Sequence, residues 1–245
     1  MEVVSMFNLT YNRRNSSEFS IYITKRPIIP CAERDKEDIP INGSDETLTR
    51  FKDTGYKNIV IPVEFNFIDK TDFDNKCRRI KKWLCGTAKD RDLRFSYDSD
   101  VFYIVKDVKI GNIERQFKIL GKFTANFECS PYAWLNSGRV EIDIPKSWRS
   151  LFNEYLLCKA NYFIKGNGLV ELNINNKIVQ IEVTDYININ TSIEKCYKDG
   201  NVTGLALKSG DYHMLWLQEE ENYISWNVLR GTIERFYIVP NYKTL

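Results

Sequence analysis

The sequence predicts a mainly β protein with one packed helix, built as an N-terminal β-sandwich-like domain and a C-terminal β-sandwich. Three observations carry this. Alanine is scarce, six in 245 residues, while Ile, Asn, Tyr, Phe and Val are frequent, a composition that favours strands over helices. Apolar and polar residues alternate over many short segments separated by Gly, Asn, Asp and Pro, the pattern of half-buried strands between turns. A single segment carries helical periodicity. With 13% aromatic residues, 12 glycines and 7 prolines, the composition is that of a folded chain long enough for one large or two small cores.

Residues 2–10 and 19–25 read as short strands. Residues 26–48, RPIIPCAERDKEDIPINGSDETL, hold Pro27, Pro30 and Pro40, many charges and no sustained period. This is an extended arm or long loop, and a loop of such length in a compact domain usually has a function or is disordered. Residues 56–68 form the clearest strand, with Ile59, Ile61, Val63, Phe65 and Phe67 on one face. Pro62 cannot donate to a ladder and places this strand at a sheet edge or a bulge. The helix is expected over 71–85. Thr71 is its N-cap, with Asp74 completing a capping box, Phe73, Cys77, Ile80 and Leu84 form one stripe, and Gly86 ends it. The opposite face carries Lys76, Arg78, Arg79, Lys81 and Lys82, read as a solvated face rather than a nucleic-acid surface.

Residues 93–105 predict a hairpin turning at Asp98-Ser99-Asp100, where Asp and Ser serve the turn rather than acid catalysis. In FTANFECSPYAW (123–134), Phe123, Ala125, Phe127 and Cys129 share a face and Pro131 ends the pairing, which makes Cys129 a packed thiol. The domains are expected at 1–140 and 141–245. In the second, many short strands are expected, with Lys165-Gly166-Asn167-Gly168 as a turn between two of them and His213 inside an apolar strand.

Chemistry is sparse. There is one His, and the six Cys at 31, 77, 85, 129, 158 and 196 form no C-x-x-C pair, so no zinc frame and no cofactor site is expected. No phosphate loop, nucleophile elbow or dinucleotide fingerprint occurs. His213 would need a positioned nucleophile to act as a base. The net charge of +2 is spread over both halves and excludes the strong basic field of a dedicated nucleic-acid binder. The start MEVVSMFNLTYN has neither a basic n-region nor a long apolar stretch, and no run of about 18 apolar residues occurs, so neither a signal peptide nor a membrane span is expected. Reduced thiols in a cytosolic folding environment follow. These features describe a non-enzymatic binding or assembly protein.

The order of segments adds to this. RPIIP at 26–30 and IPING at 39–43 precede the alternating strand, then a helix ending in WLCG (83–86), the DSD hairpin, FECSPY at 127–132, a β-sandwich, and YIVPNYKTL at 237–245. Over essentially its whole length the chain resembles the distal tail proteins of long-tailed, non-contractile bacteriophages. The resemblance implies a hexameric ring under the tail tube, made by the N-terminal domain, and a galectin-like C-terminal β-sandwich. It implies that the arm embraces a neighbouring subunit through Arg26, Pro27, Ile28, Ile29, Pro30, Ile39, Ile41 and Gly43. Partners would be further copies of the chain, the tail tube protein, the tail-tip protein and receptor-binding or baseplate proteins, at the virion tail tip. Nucleic acid would only pass through the ring. The alternative is a carbohydrate-binding β-sandwich module recognising cell-surface glycans, which exposed Trp148, Trp216 or Trp226 would favour.

Overall fold

The computed structural model describes residues 7–116, 119–204 and 206–245. The chain divides into two compact units between Ala133 and Trp134, N-terminal of the division expected after residue 140. Each unit has its own core, and the two cores share no residue.

In the first unit the strands are β1 Leu9–Tyr11, β2 Arg14–Asn15, β3 Ile21–Ile23, β4 Arg34–Pro40, β5 Thr47–Tyr56, β6 Ile59–Ile68, β7 Asp92–Phe95, β8 Asp98–Ile110, β9 Glu114–Gln116 and β10 Leu120–Leu135, with helix α1 at Phe73–Cys85 between β6 and β7. The main sheet runs β2-β1-β7-β8-β10-β6-β3, and β9 adds to β10. Along β6, Ile59, Ile61, Val63, Phe65 and Phe67 are all buried, as the alternation requires. Pro62 pairs with Asn126 of β10, while β3 covers only positions 65–67. The strand is therefore a local edge at Pro62, where a missing N–H costs nothing. Of the strand expected over 2–10, residues 1–6 lie outside the described residues.

Four expectations change here. The N-cap of α1 is Asp72, whose carboxylate accepts from Asn75 N–H. Thr71 instead donates its N–H to Asp69 (2.9 Å), whose Oδ1 also accepts from Asp72 N–H (2.8 Å). A carboxylate reaches two backbone donors more readily than a hydroxyl. Trp83 joins Phe73, Ile80 and Leu84 in the core while Cys77 is half-buried. Trp83 Nε1 donates to Tyr11 O at 2.9 Å and its ring stacks on Phe19 with centroids 4.6 Å apart, which anchors the helix to β1. The hairpin turns at Ser96-Tyr97, because Phe95 pairs with Asp98 and the Asp98-Ser99-Asp100 stretch already belongs to β8. Finally, β10 continues through Pro131 to Leu135.

The second unit contains β11 Ile142–Asp143, β12 Arg149–Asn153, β13 Asn161–Ile174, β14 Lys177–Asn190, β15 Lys195–Lys198, β16 Asn201–Val202, β17 Leu207–Ser209, β18 Glu220–Val239 and β19 Lys243–Thr244. The sheet runs β11-β18-β13-β14-β15-β16, with β12 also on β18 and β17 also on β14. Segments expected as separate short strands are continuous: 14 residues each in β13 and β14 and 20 in β18. Both halves of these strands bury the same face into one core, with Tyr162 and Ile164 from one half and Val170, Leu172 and Ile174 from the other. A sheet of that length can bury one face in a single core only by curling over itself, and the result is sandwich-like.

The curl is written into one line across the sheet. Lys165-Gly166-Asn167-Gly168 is not a turn but the middle of β13. Gly166 pairs with Asp185 of β14, and Gly168 pairs with Gly231 of β18. Gly166 (φ 141°), Gly168 (φ 142°), Asp185 (φ 68°) and Gly231 (φ 84°) all have positive φ, and the β13–β18 register shifts on both sides of this line. A Cβ on Gly168 would overlap the Arg230 carbonyl oxygen. Glycine in β13 and β18, with Asp185 in β14, bends three strands together.

Candidate interaction surface: an isolated β-ribbon

The feature with least support from the rest of its unit is the hairpin of β4 and β5. The two strands form a sheet of their own. Ile39 lies opposite Leu48 on one face, together with Glu37 and Arg50, while Lys36, Asp38, Phe51 and Thr49 line the other face. At the turn, Ser44 N–H donates to Ile41 O (3.1 Å), Ser44 Oγ accepts from Glu46 N–H (3.0 Å), and Gly43 takes φ 83°. Such a left-handed position at a tight turn suits glycine. Near the base, Arg34 lies over the rings of Phe51 and Tyr56, at 5.6 Å and 6.0 Å.

This ribbon exposes apolar side chains: Leu48 is 58% exposed, Phe51 56%, Ile41 46% and Ile39 38%. A two-stranded ribbon is marginal in water by itself, and both of its strands leave a row of unpaired backbone groups. At about 3.3 Å per residue, the stretch from the base to Gly43 reaches about 25–30 Å. Exposed apolar groups on a long, two-edged ribbon mark a docking element.

The eight arm residues separate into two groups. Arg26 holds its guanidinium over the rings of Phe7 (5.1 Å) and Tyr97 (4.8 Å). Pro27 and Ile29 are half-buried, Ile29 against the core of the first unit. Ile28 and Pro30 are exposed, yet the segment ends at buried Ala32. This group runs along the body. Ile39, Ile41 and Gly43 belong to the ribbon. Sequence reasoning stopped the arm at 48 and missed most of β5. Its signal was present in TLTRF, where alternate Thr residues suit a strand, but the Gly55 and Asp53 that follow obscured it.

Other candidates fall into place around this. Cys129 is fully buried, its Sγ 3.6 Å from Phe127 O, and burial followed by the charge of Glu128 pushes the thiol up to about 12. His213 is not in an apolar strand. It sits on an exposed 3-10 turn (Tyr212–Leu215) capped by Asp211, which accepts the His213 N–H at 2.7 Å and meets Nδ1 at 2.5 Å. Glu194 lies 3.4 Å from Nε2. An imidazole held between two carboxylates is oriented, but among the described residues no Ser or Cys is bonded to it. Trp226 is 8% exposed and donates Nε1 to Ile144 O at 2.9 Å, so it belongs to the core. Trp216 is half-buried under Lys159 (4.2 Å). Trp148 is exposed at 59% and lies 6.1 Å from the Tyr223 ring. Among the described residues no group of three or more potential metal ligands converges, and no helix is long and apolar enough to cross a membrane.

Residues 34–131, which begin at the first residue of the ribbon, match the family model of the phage tail protein N-terminal domain. Among solved structures, the chain is similar to the Dit (gp 19.1) protein of phage SPP1, described as a paradigm of the hub adsorption apparatus in phages infecting Gram-positive hosts. The TM-score is 0.70 at 15% identity, covering 98% of this chain and 99% of that one. Two chains of the phage p2 baseplate in its activated conformation also match. One, with Ca, has a TM-score of 0.51 at 7% identity, covering 98% of each chain. The other, with Sr, has a TM-score of 0.50 at 8% identity, covering 95% of this chain and 97% of that one. A search of the curated proteins finds no match. The resemblance carried by FECSPY, YIVPNYKTL and their spacing is thereby borne out: the fold is that of a distal tail hub protein, over both units.

Proposed function

We propose that the protein is a non-catalytic, ring-forming hub at the distal end of a phage tail. Six copies would surround the channel and link the tail tube to the tail-tip and receptor-binding or baseplate proteins. The observation that carries this reading is the ribbon: it pairs only with itself, exposes Ile39, Leu48 and Phe51, and belongs to a chain with the fold of SPP1 Dit. A partner surface from a neighbouring copy would cover the apolar pair and add hydrogen bonds along an open edge. Such a protein is made in the host cytoplasm and resides at the tail tip, where genome passage is its only encounter with nucleic acid.

Light scattering over a concentration series, with negative-stain images of the largest species, tests this. Closed rings of about six copies are expected, and the pair Leu48→Ser and Phe51→Ser should lower their association without shifting the monomer's melting temperature. Rings that form unchanged in that variant would remove the ribbon from the assembly.

A second reading has its own observation. Trp148 and Tyr223 are exposed side by side, and Tyr223 OH donates to Glu221 (2.6 Å), which also accepts from Ser150 (2.6 Å). Two aromatic faces beside an ionised acceptor suit a sugar ring. A glycan screen comparing the native protein with Trp148→Ala tests it. Binding retained in the variant excludes this site.

A further inference from the structure

We propose that the acidic turn of one copy's ribbon docks in a basic cleft on the first unit of the next copy, between the β1–β2 turn and α1. The proposal rests on the ring reading above and names where the ribbon lands.

The cleft has a volume of about 760 Å³, and its cationic lining is Arg13, Arg14, Arg79, Lys82 and Lys89. Its floor is the stacked pair Phe19 and Trp83. Arg14 lies 4.3 Å over the Phe19 ring and bonds Glu18 at 2.9 Å. Glu18 is thus already engaged, and Asp69 and Asp72 lie in the adjoining hollow beyond Arg79. Arg13, Lys82 and Lys89 form no ion pair among the described residues. Several like charges around one concavity focus a positive potential. The cleft therefore attracts an anion.

The ribbon supplies one. From residue 33 to residue 50 it carries Glu33, Asp35, Glu37, Asp38, Asp45 and Glu46 against Arg34, Lys36 and Arg50. Asp38 is occupied by Lys36 (3.3 Å) and Thr49 (2.6 Å), and Glu33 by Lys57 (3.5 Å). Asp45 and Glu46, at the turn, form no ion pair among the described residues, and the Ser44 bonds hold them at the outermost point of the ribbon. Each copy offers one acidic turn and one basic cleft, which is a head-to-tail arrangement, the kind that builds a ring when its rotation closes. Apolar contact by Leu48 and Phe51 would hold the ribbon, and the turn would set its register, since charge complementarity governs orientation more than affinity.

The test uses the full chain. Isotopically labelled and unlabelled copies are mixed, treated with a carbodiimide that couples carboxylates to amines in contact, and mapped by mass spectrometry. Links between copies from Asp45 or Glu46 to Lys82 or Lys89 are expected. In parallel, the turn variant Asp45→Lys/Glu46→Lys and the cleft variant Arg13→Glu/Lys82→Glu should each weaken association roughly tenfold, and mixing the two should restore it to within about threefold. Melting temperatures of both variants check that they fold. If rings persist while the turn carboxylates link to other lysines, or the mixture fails to restore association, the cleft is overturned and the ring reading stands. If no association and no intercopy link occurs at any concentration, both are overturned.

Discussion

Single residues show how burial decides chemistry in this protein. The alternation around Cys129 makes it a packed thiol, and the residue is completely buried. Burial likewise raises Cys158 and Cys196, whereas Cys31 is exposed. A thiol reagent at pH 8 should therefore label Cys31 in the native protein and reach Cys129, Cys158 and Cys196 only after unfolding. Rapid native labelling of Cys129, read by peptide mass mapping, would contradict this burial. Carboxylates behave in the opposite sense. Asp69 is held below its ordinary range by the backbone N–H groups of Asp72 and Thr71, and Asp143 by Arg235. A depressed folded-state value means that the stability is present above the unfolded value near pH 4 and is lost as pH falls through the folded value. The melting temperature should thus fall on the acid side of about pH 4, and Asp69→Asn should shrink that fall while lowering the melting temperature at neutral pH. An unchanged acid limb in the variant would remove Asp69 from the account.

At the scale of elements, α1 and β6 are governed by period, and the long strands of the second unit are governed by where they bend. The stripe Phe73, Ile80, Leu84 and the alternation along β6 each bury one face, so sequence and structure coincide there. In β13 the glycines that read as a turn are instead a bend, because Gly168 faces Gly231 across a ladder with no room for a side chain. Gly168→Ala combines a positive φ with overlap on backbone, and should cost on the order of 3 kcal/mol or more, measured by denaturant unfolding. Gly43→Ala has the same backbone preference with open space around it and should cost only about 1 kcal/mol. The ribbon belongs to this scale too. Its strands are ordinary, and what marks it is that no third strand among the described residues lies against them.

The whole molecule is two cores on one chain. Ile181 is fully buried in the second core, which shares no residue with the first. Ile181→Ala should destabilise the second unit by about 2–5 kcal/mol and leave the amide exchange of Val63, in the first core, unchanged. Loss of protection at Val63 would show that the units unfold as one.

The sequence by itself determined the mainly β class, the single helix, the buried faces of β6 and β10, and the order of segments that resembles that of the distal tail proteins. All of these depend on short-range period or on residue order, which a sequence carries directly. Only the tertiary structure decided the rest. It merged short strands into long curled ones, moved the hairpin turn to Ser96-Tyr97, lifted His213 out of a strand, and set β4 and β5 in a two-stranded sheet of their own. Those outcomes depend on which strand lies beside which, and on whether a glycine meets solvent or another backbone. Such pairings join residues far apart in the chain, so no local window contains them.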